Sequence, residues 1–438
     1  MPEVRRFFAT QAWVEGRWAH DVLLEATDGF WSLVQPGCAA AARAGAEPLA
    51  GPVLPGLVNA HSHAFQRSIA GLSERRAPGQ DDFWRWREAM YAAAGQIGPA
   101  QLEAIAASLY SELLQAGYTQ VCEFHYLHQD AQGQPYAEPL AMSLALVRAA
   151  QRAGIGLTLL PTLYMRAGFT EPALRPRQRR FASTPETVLR IAESIRALAA
   201  GDPRLGAGLA LHSLRAVDEG ALRETAQAAK SAGLPVHIHV AEQQREVDEC
   251  LQRHGRRPVE WLLENAPVDA RWNLVHATHA RADELQAVQG TGAAIVLCPS
   301  TEANLGDGLF DLPTWLRAKG VWSIGSDSHV TRSWTEELRL LEYGQRLLRR
   351  ERNVAAAAAG QESTAAVLFE GALRGGTAAA GLPLAGRRAG QRADLGVLDA
   401  NAASLAGVPG SHVLDAAVFS SPGVAPSRVI VAARDTGP

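Results

Sequence analysis

Eight apolar, strand-like runs alternating with amphipathic, helix-like stretches constrain this chain more than anything else in it. The runs are "VLPGLVNAHSH", "YTQVCEFHY", "GLTLLPTLY", "LGAGLALHSLR", "LPVHIHVAEQ", "WNLVHATH", "AAIVLCPSTEANL" and "VWSIGSDSH". Between them lie segments such as "GPAQLEAIAASLYSELLQAG", "TPETVLRIAESIRALAA" and "DEGALRETAQAAKSAG", whose apolar residues recur at helical spacing. Apolar runs without polar alternation are what a parallel sheet buried on both faces requires. Eight such strand–helix alternations predict a closed (β/α)8 TIM-type barrel, an α/β fold, over residues 53–379. Residues 1–52 and 380–438 read instead as short strands broken by Gly and Asp, which predicts one small β-sandwich built from both chain ends.

Polar residues with useful chemistry gather late in the apolar runs. His61, His63, His125, His212, His237, His239, His276 and Asp327 all sit there, at the end of a barrel strand where an active site is built. His61 and His63 are two residues apart, so on a strand both rings face one point. An isolated HxH is more often structural or incidental than functional. The joint pattern of HxH on the first strand, "HIHVAE" on the fifth, a strand-end His276 and a strand-end Asp327 points to a catalytic metal centre, because such centres use three or four imidazole and carboxylate ligands. Remote segments meet at the rim of a closed barrel, so sequence distance is no obstacle. His237 reads as a packed histidine rather than a ligand. Glu242 follows His239 by three residues, placing a carboxylate on the loop that leaves the strand, close enough to exchange protons with a substrate nitrogen.

Composition narrows the partners. With a formal net charge of −3 over 438 residues there is no electrostatic case for nucleic acid or an anionic membrane, and no run approaches the ~20 apolar residues of a membrane span. The four cysteines form no CxxC pair, which suggests a reducing, cytoplasmic setting. Neither lysine lies in a phosphate-binding GxxxxGK frame.

These motifs are shared with a known group. The chain resembles the amidohydrolase superfamily and, within it, the metal-dependent formimidoylglutamate deiminases; "HSHAFQR", "FWRWRE", "GYTQVCEFHY", "HSLRAV", "VHIHVAEQ", "LVHATHA", "STEANLGDG" and "IGSDSH" carry the likeness. The resemblance implies that His61, His63, His239 and Asp327 bind one divalent metal, zinc, and that Glu242, His276 and Asp327 act in catalysis. It further implies that Arg87 and Arg215 hold the two carboxylates of a small dicarboxylate substrate, N-formimino-L-glutamate, with Gln66, Tyr126 and His212 lining the pocket. The implied reaction is attack of metal-activated hydroxide on the formimino carbon, releasing ammonia, and the implied assembly is a homodimer.

The residues themselves agree on substrate charge, since arginine is shaped for bidentate carboxylate recognition and "FWRWREAM" surrounds Arg87 with aromatic bulk. Lysine occurs only at Lys230 and Lys319, both in helix-like stretches, so neither is placed to bridge two metals. Two other readings remain open: a deaminase acting on a nucleobase or aminopyrimidine, which would need stacking and amide-edge contacts rather than cations, and a non-catalytic metal-binding protein, which would need no spare proton carriers.

Overall fold

The computed structural model describes residues 2–75, 82–384, 386, 388–420 and 423–436. Its larger sheet runs in order through Leu57–Ser62, Tyr118–His125, Gly156–Leu163, Leu209–Ser213, Val236–Val240, Trp272–His276, Ala294–Leu297 and Trp322–Ile324, each strand parallel to the next. His212 apart, every residue of these strands is buried. Helices cover the outer face, and their own sequences explain them. In Pro185–Ala199 the hydroxyl of Thr184 accepts from the backbone N–H of Thr187, Pro185 opens the first turn, and Val188, Ile191, Ala192 and Ile195 form the buried stripe. Each large apolar side chain so buried stabilises by roughly 1.5–3 kcal/mol.

The barrel closes through the segment expected to carry the site. Ser62 on the first strand bridges in parallel to Asp327 beyond the eighth. The Asp327 N–H donates to the His61 carbonyl at 2.9 Å, and the His63 N–H to the Asp327 carbonyl at 3.3 Å. A Cβ on Gly325 would lie 2.6 Å from the Cβ of His61, so only glycine lets the two strands approach this closely.

Both chain ends contribute to a second, eight-stranded sheet made of Val4–Val14, Arg17–Thr27, Phe30–Gln35, Glu47–Leu49, Val53–Pro55, Leu395–Leu398, Pro426–Val431 and Arg434–Asp435. It has its own core, in which Phe7, Leu24, Trp31, Val53, Leu395 and Ile430 meet. Strands distant in the sheet order share that core because the sheet curls on itself, Phe30 bridging to Arg392 and the Trp31 N–H donating to the Gln391 carbonyl at 2.8 Å. The run "VLPGLVNAHSH" therefore serves both sheets. Val53–Pro55 pairs antiparallel with Leu395–Leu398, Gly56 turns the chain against Thr119, and the barrel begins at Leu57. The C-terminal stretch is not all strand: Val413–Phe419 forms a helix that packs on Trp334–Arg349 and Thr364–Ala380.

Arg392 fastens the two sheets together. It is 1% exposed, bonds Asp394 at 2.6 Å, and reaches the Gln120 side chain at 2.8 Å and the Thr119 carbonyl at 3.1 Å on the second barrel strand. No helix among the described residues is long and apolar enough to cross a membrane. All four cysteines are buried and unpaired.

Candidate active site

The strand ends bring His61, His63, His239, His276 and Asp327 to one point at the barrel mouth. Ligand atoms of His61, His63 and His239 lie within 4.8 Å of one another, as do those of His61, His276 and Asp327. Asp327 Oδ1 stands 3.5 Å from His63 Nε2 and 3.7 Å from His61 Nε2, while its Oδ2 is 3.7 Å from His276 Nε2. The backbone is bent to achieve this. His276 and Asp327, with Ala241 and Ala277, have φ of 70°, 47°, 51° and 49°. Left-handed backbone in non-glycine residues costs about 1–3 kcal/mol each and persists only where the surroundings impose it.

Hydrogen bonds decide which ring nitrogens face inward. His63 Nδ1 is 2.9 Å from the Phe124 carbonyl and His239 Nδ1 is 2.8 Å from the His212 carbonyl. A carbonyl can only accept, so both Nδ1 atoms carry the proton and both Nε2 atoms present lone pairs. Burial strips water from His61, His63 and His239 and holds all three well below the usual imidazole range, His63 at about 3. His239 Nε2 nevertheless lies 3.0 Å from His61 Nε2. His61 Nδ1 has no hydrogen-bond partner, so His61 Nε2 can donate to His239 or, with the proton on Nδ1, turn a lone pair toward the same point. Neutral imidazoles beside one carboxylate form a donor set that fits a divalent cation.

Three further carboxylates surround this cluster. Glu242 Oε1 lies 3.7 Å from His276 Nε2, and its backbone is held by Glu246, whose carboxylate accepts from the Ala241 and Glu242 N–H groups at 3.0 and 3.1 Å. Glu302 Oε1 receives His276 Nδ1 at 3.2 Å. Burial alone would lower the His276 pKa, but Glu242, Glu302 and Asp327 outweigh it and lift it to about 10. Burial raises Asp327 to about 7, with Glu242 and Glu302 adding to the effect and His276 opposing it. The same carboxylates that raise His276 give the cluster an excess of negative charge that suits a cation.

A cavity rises from the cluster to the surface. Gln66, Arg87, Tyr126, His212 and Arg215 all line it, alongside Glu242, His276 and Asp327. Gln66 Nε2 donates to the Tyr126 hydroxyl at 3.0 Å. Arg87 and Arg215 share one aromatic platform, with guanidinium carbons 4.4 and 5.4 Å from the Trp84 ring centre. Neither forms an ion pair among the described residues, and the Nε of each is buried without a partner. Two desolvated cations facing an open cavity are arranged to receive anions.

His237 is not part of the cluster; its Nε2 meets the Ala379 carbonyl at 2.9 Å. Lys230 and Lys319 lie on the exterior, one in helix Glu219–Ala232 and one beyond helix Leu312–Arg317. Sequence reasoning missed Glu302, although "STEANL" was in view, because nothing local ties that acid to a histidine 26 residues earlier. It also missed Tyr91 and Tyr164, which line the cavity and whose hydroxyls both accept from Gln178 Nε2, at 3.1 and 2.9 Å.

Comparison with known proteins agrees with this geometry. The chain matches the amidohydrolase family over residues 53–434. It is 48% identical to formimidoylglutamate deiminase of Pseudomonas aeruginosa, over 98% of this chain and 93% of that one. The crystal structure of an amidohydrolase from Brucella melitensis superposes with a TM-score of 0.93 at 43% identity, covering 98% of this chain and 94% of that one. An adenosine deaminase from Xanthomonas campestris with bound zinc shares the fold at a TM-score of 0.80 and 20% identity, covering 98% and 92%. A closed parallel barrel, a histidine–aspartate cluster at its mouth and matches along nearly the whole chain place this protein in the amidohydrolase family.

Proposed function

We propose that the protein is a formimidoylglutamate deiminase, which hydrolyses N-formimino-L-glutamate to N-formyl-L-glutamate and ammonia with one zinc ion held by His61, His63, His239 and Asp327. The observation that carries this reading is the pair Arg87 and Arg215: two cations that form no ion pair among the described residues, in a cavity whose floor is the histidine–aspartate cluster. A flexible diacid needs two such clamps, whereas a planar base does not. The exterior position of both lysines supports one metal rather than two, since neither can serve as a bridging ligand. The four unpaired cysteines support a cytosolic location.

When bound, the cation supplies Lewis acidity, which lowers the pKa of a coordinated water from about 15.7 toward ~7. The protein does the rest. Arg87 and Arg215 grip the carboxylates bidentately while Gln66, Tyr126 and His212 shape the wall, so the formimino carbon is carried to the floor of the cavity. Asp327 takes the proton of the attacking water on a carboxylate oxygen. Glu242 delivers a proton to the imine nitrogen, and His276 Nε2, 3.7 Å from Glu242, steadies the charge that develops on oxygen. A second proton, passed from Asp327 directly or by way of Glu242, makes that nitrogen a leaving group; the carbon–nitrogen bond breaks, its electron pair leaves with ammonia, and the hydroxyl proton of the addition intermediate returns to Glu242 as the formyl carbonyl forms.

Ammonia release from zinc-loaded protein, with formiminoglutamate tested beside cytosine, guanine and adenosine, tests this reading. Turnover of the diacid alone is expected. Preference for any base would overturn it.

A further inference from the structure

We propose that Glu302 is a positioning residue for the deimination, holding the Nδ1–H of His276 so that Nε2 faces Glu242, Asp327 and the reacting group. The inference rests on the function proposed above, but its evidence is separate. His276 leaves its strand with φ of 70°, a costly backbone conformation that persists only where the surroundings impose it. Glu302 Oε1 anchors the ring at 3.2 Å, and the same oxygen accepts the Cys298 N–H at 2.9 Å. The opposite ring nitrogen is then directed at Glu242 Oε1 and Asp327 Oδ2, both 3.7 Å away.

The helix that carries Glu302 is fixed from two sides. Glu302 itself, 4% exposed, lies on this short helix, Pro299–Leu305. On one side Glu337 accepts both the N–H and the hydroxyl of Ser300, at 2.8 and 2.6 Å. On the other, Thr301 Oγ1 bonds the Ser326 carbonyl at 3.3 Å and the Ser328 hydroxyl at 3.0 Å, joining the helix to the loop that carries Asp327. A carboxylate behind a catalytic imidazole fixes the ring's tautomer and direction and makes its far nitrogen more basic.

Glu302→Gln keeps the shape and an accepting oxygen but removes the charge, and Glu302→Ala removes both. Kinetics, zinc content and the hydrogen-bonded imidazole N–H proton resonances are measured on the zinc-loaded full-length protein, with His276→Asn identifying the resonance of His276. Expected for Glu302→Gln are wild-type zinc content, KM within about twofold of wild type, kcat lower by roughly 10–100-fold, and displacement of the His276 resonance. Glu302→Ala is expected to lose more kcat and to regain part of it with added formate. Unchanged kcat in Glu302→Gln, zinc lost in step with activity, or no Nδ1–H resonance of His276 in wild type would each overturn the proposal. The resonance needs no substrate, so failure of wild type to turn over formiminoglutamate would count against the proposed substrate and leave the Glu302–His276 pair to be judged by the spectrum.

Discussion

Replacing Arg215 by Met tests the substrate assignment quantitatively. Arg215 is 6% exposed and is lifted above its ordinary pKa, burial opposing and Glu246 and Glu242 favouring the charge. A carboxylate about 4 Å from that charge gains about 4 kcal/mol at an effective dielectric constant of ~20. Methionine fills much of the space but leaves the bound carboxylate buried without a counter-charge, close to Glu242. The expected net loss is about 2–5 kcal/mol of transition-state stabilisation, or roughly 30- to 5,000-fold in kcat/KM. Steady-state ammonia release, with zinc content measured on the same sample, reads it directly. Arg87 is half-buried, so Arg87→Met belongs at the lower end of the same range. Substrates with one carboxylate converted to an amide sharpen the test: each arginine variant loses little more on the amide whose carboxylate it would have held. Full kcat/KM in Arg215→Met with the diacid would refute the clamp.

Other perturbations test other parts of the account. Asp327→Asn removes the proton acceptor while keeping an oxygen ligand, and turnover should vanish even in samples that retain metal; an active, metal-loaded variant removes Asp327 from the mechanism. Dialysis against a chelator should abolish activity and lower Tm, with both restored by zinc, because the cation binds only the folded state; activity that survives complete metal removal contradicts a metal-dependent reaction. Arg392→Met strands Asp394 in the interior between the two sheets and should lower stability by about 3–5 kcal/mol, seen as a drop in urea midpoint at constant slope. Burial lifts Glu337 from 4.5 to about 8, against the opposing pull of the Ser300 hydroxyl and N–H. Between those values the folded protein keeps a proton that the unfolded chain has lost, so this group makes stability fall as pH rises from about 5 to about 8. Glu337→Gln should flatten that dependence, and an unchanged slope would show that the carboxyl titrates normally.

The barrel was legible because burial on both faces forces each parallel strand to be a near-continuous apolar run, and because the residues with metal-ligating chemistry collect at the strand ends. His61, His63, His239, His276 and Asp327 stood out for that reason. What the sequence hid depends on contacts between segments. Glu302 meets His276 across two barrel strands, a relation without periodicity or spacing. The division of "VLPGLVNAHSH" between two sheets is decided by the pairing of Val53–Pro55 with Leu395–Leu398, some 340 residues away, which local pattern does not encode. The left-handed turns at His276 and Asp327 oppose local preference and persist only because their surroundings impose them.

The central claim is that one ion and two guanidiniums share a single cavity. A crystal structure of the zinc-loaded protein with N-formyl-L-glutamate, phased to show anomalous scattering from zinc, examines it directly. The account predicts one peak, enclosed by His61, His63, His239 and Asp327, with the product's carboxylates on Arg87 and Arg215. Two peaks, a peak elsewhere, or carboxylates turned away from both arginines would contradict it.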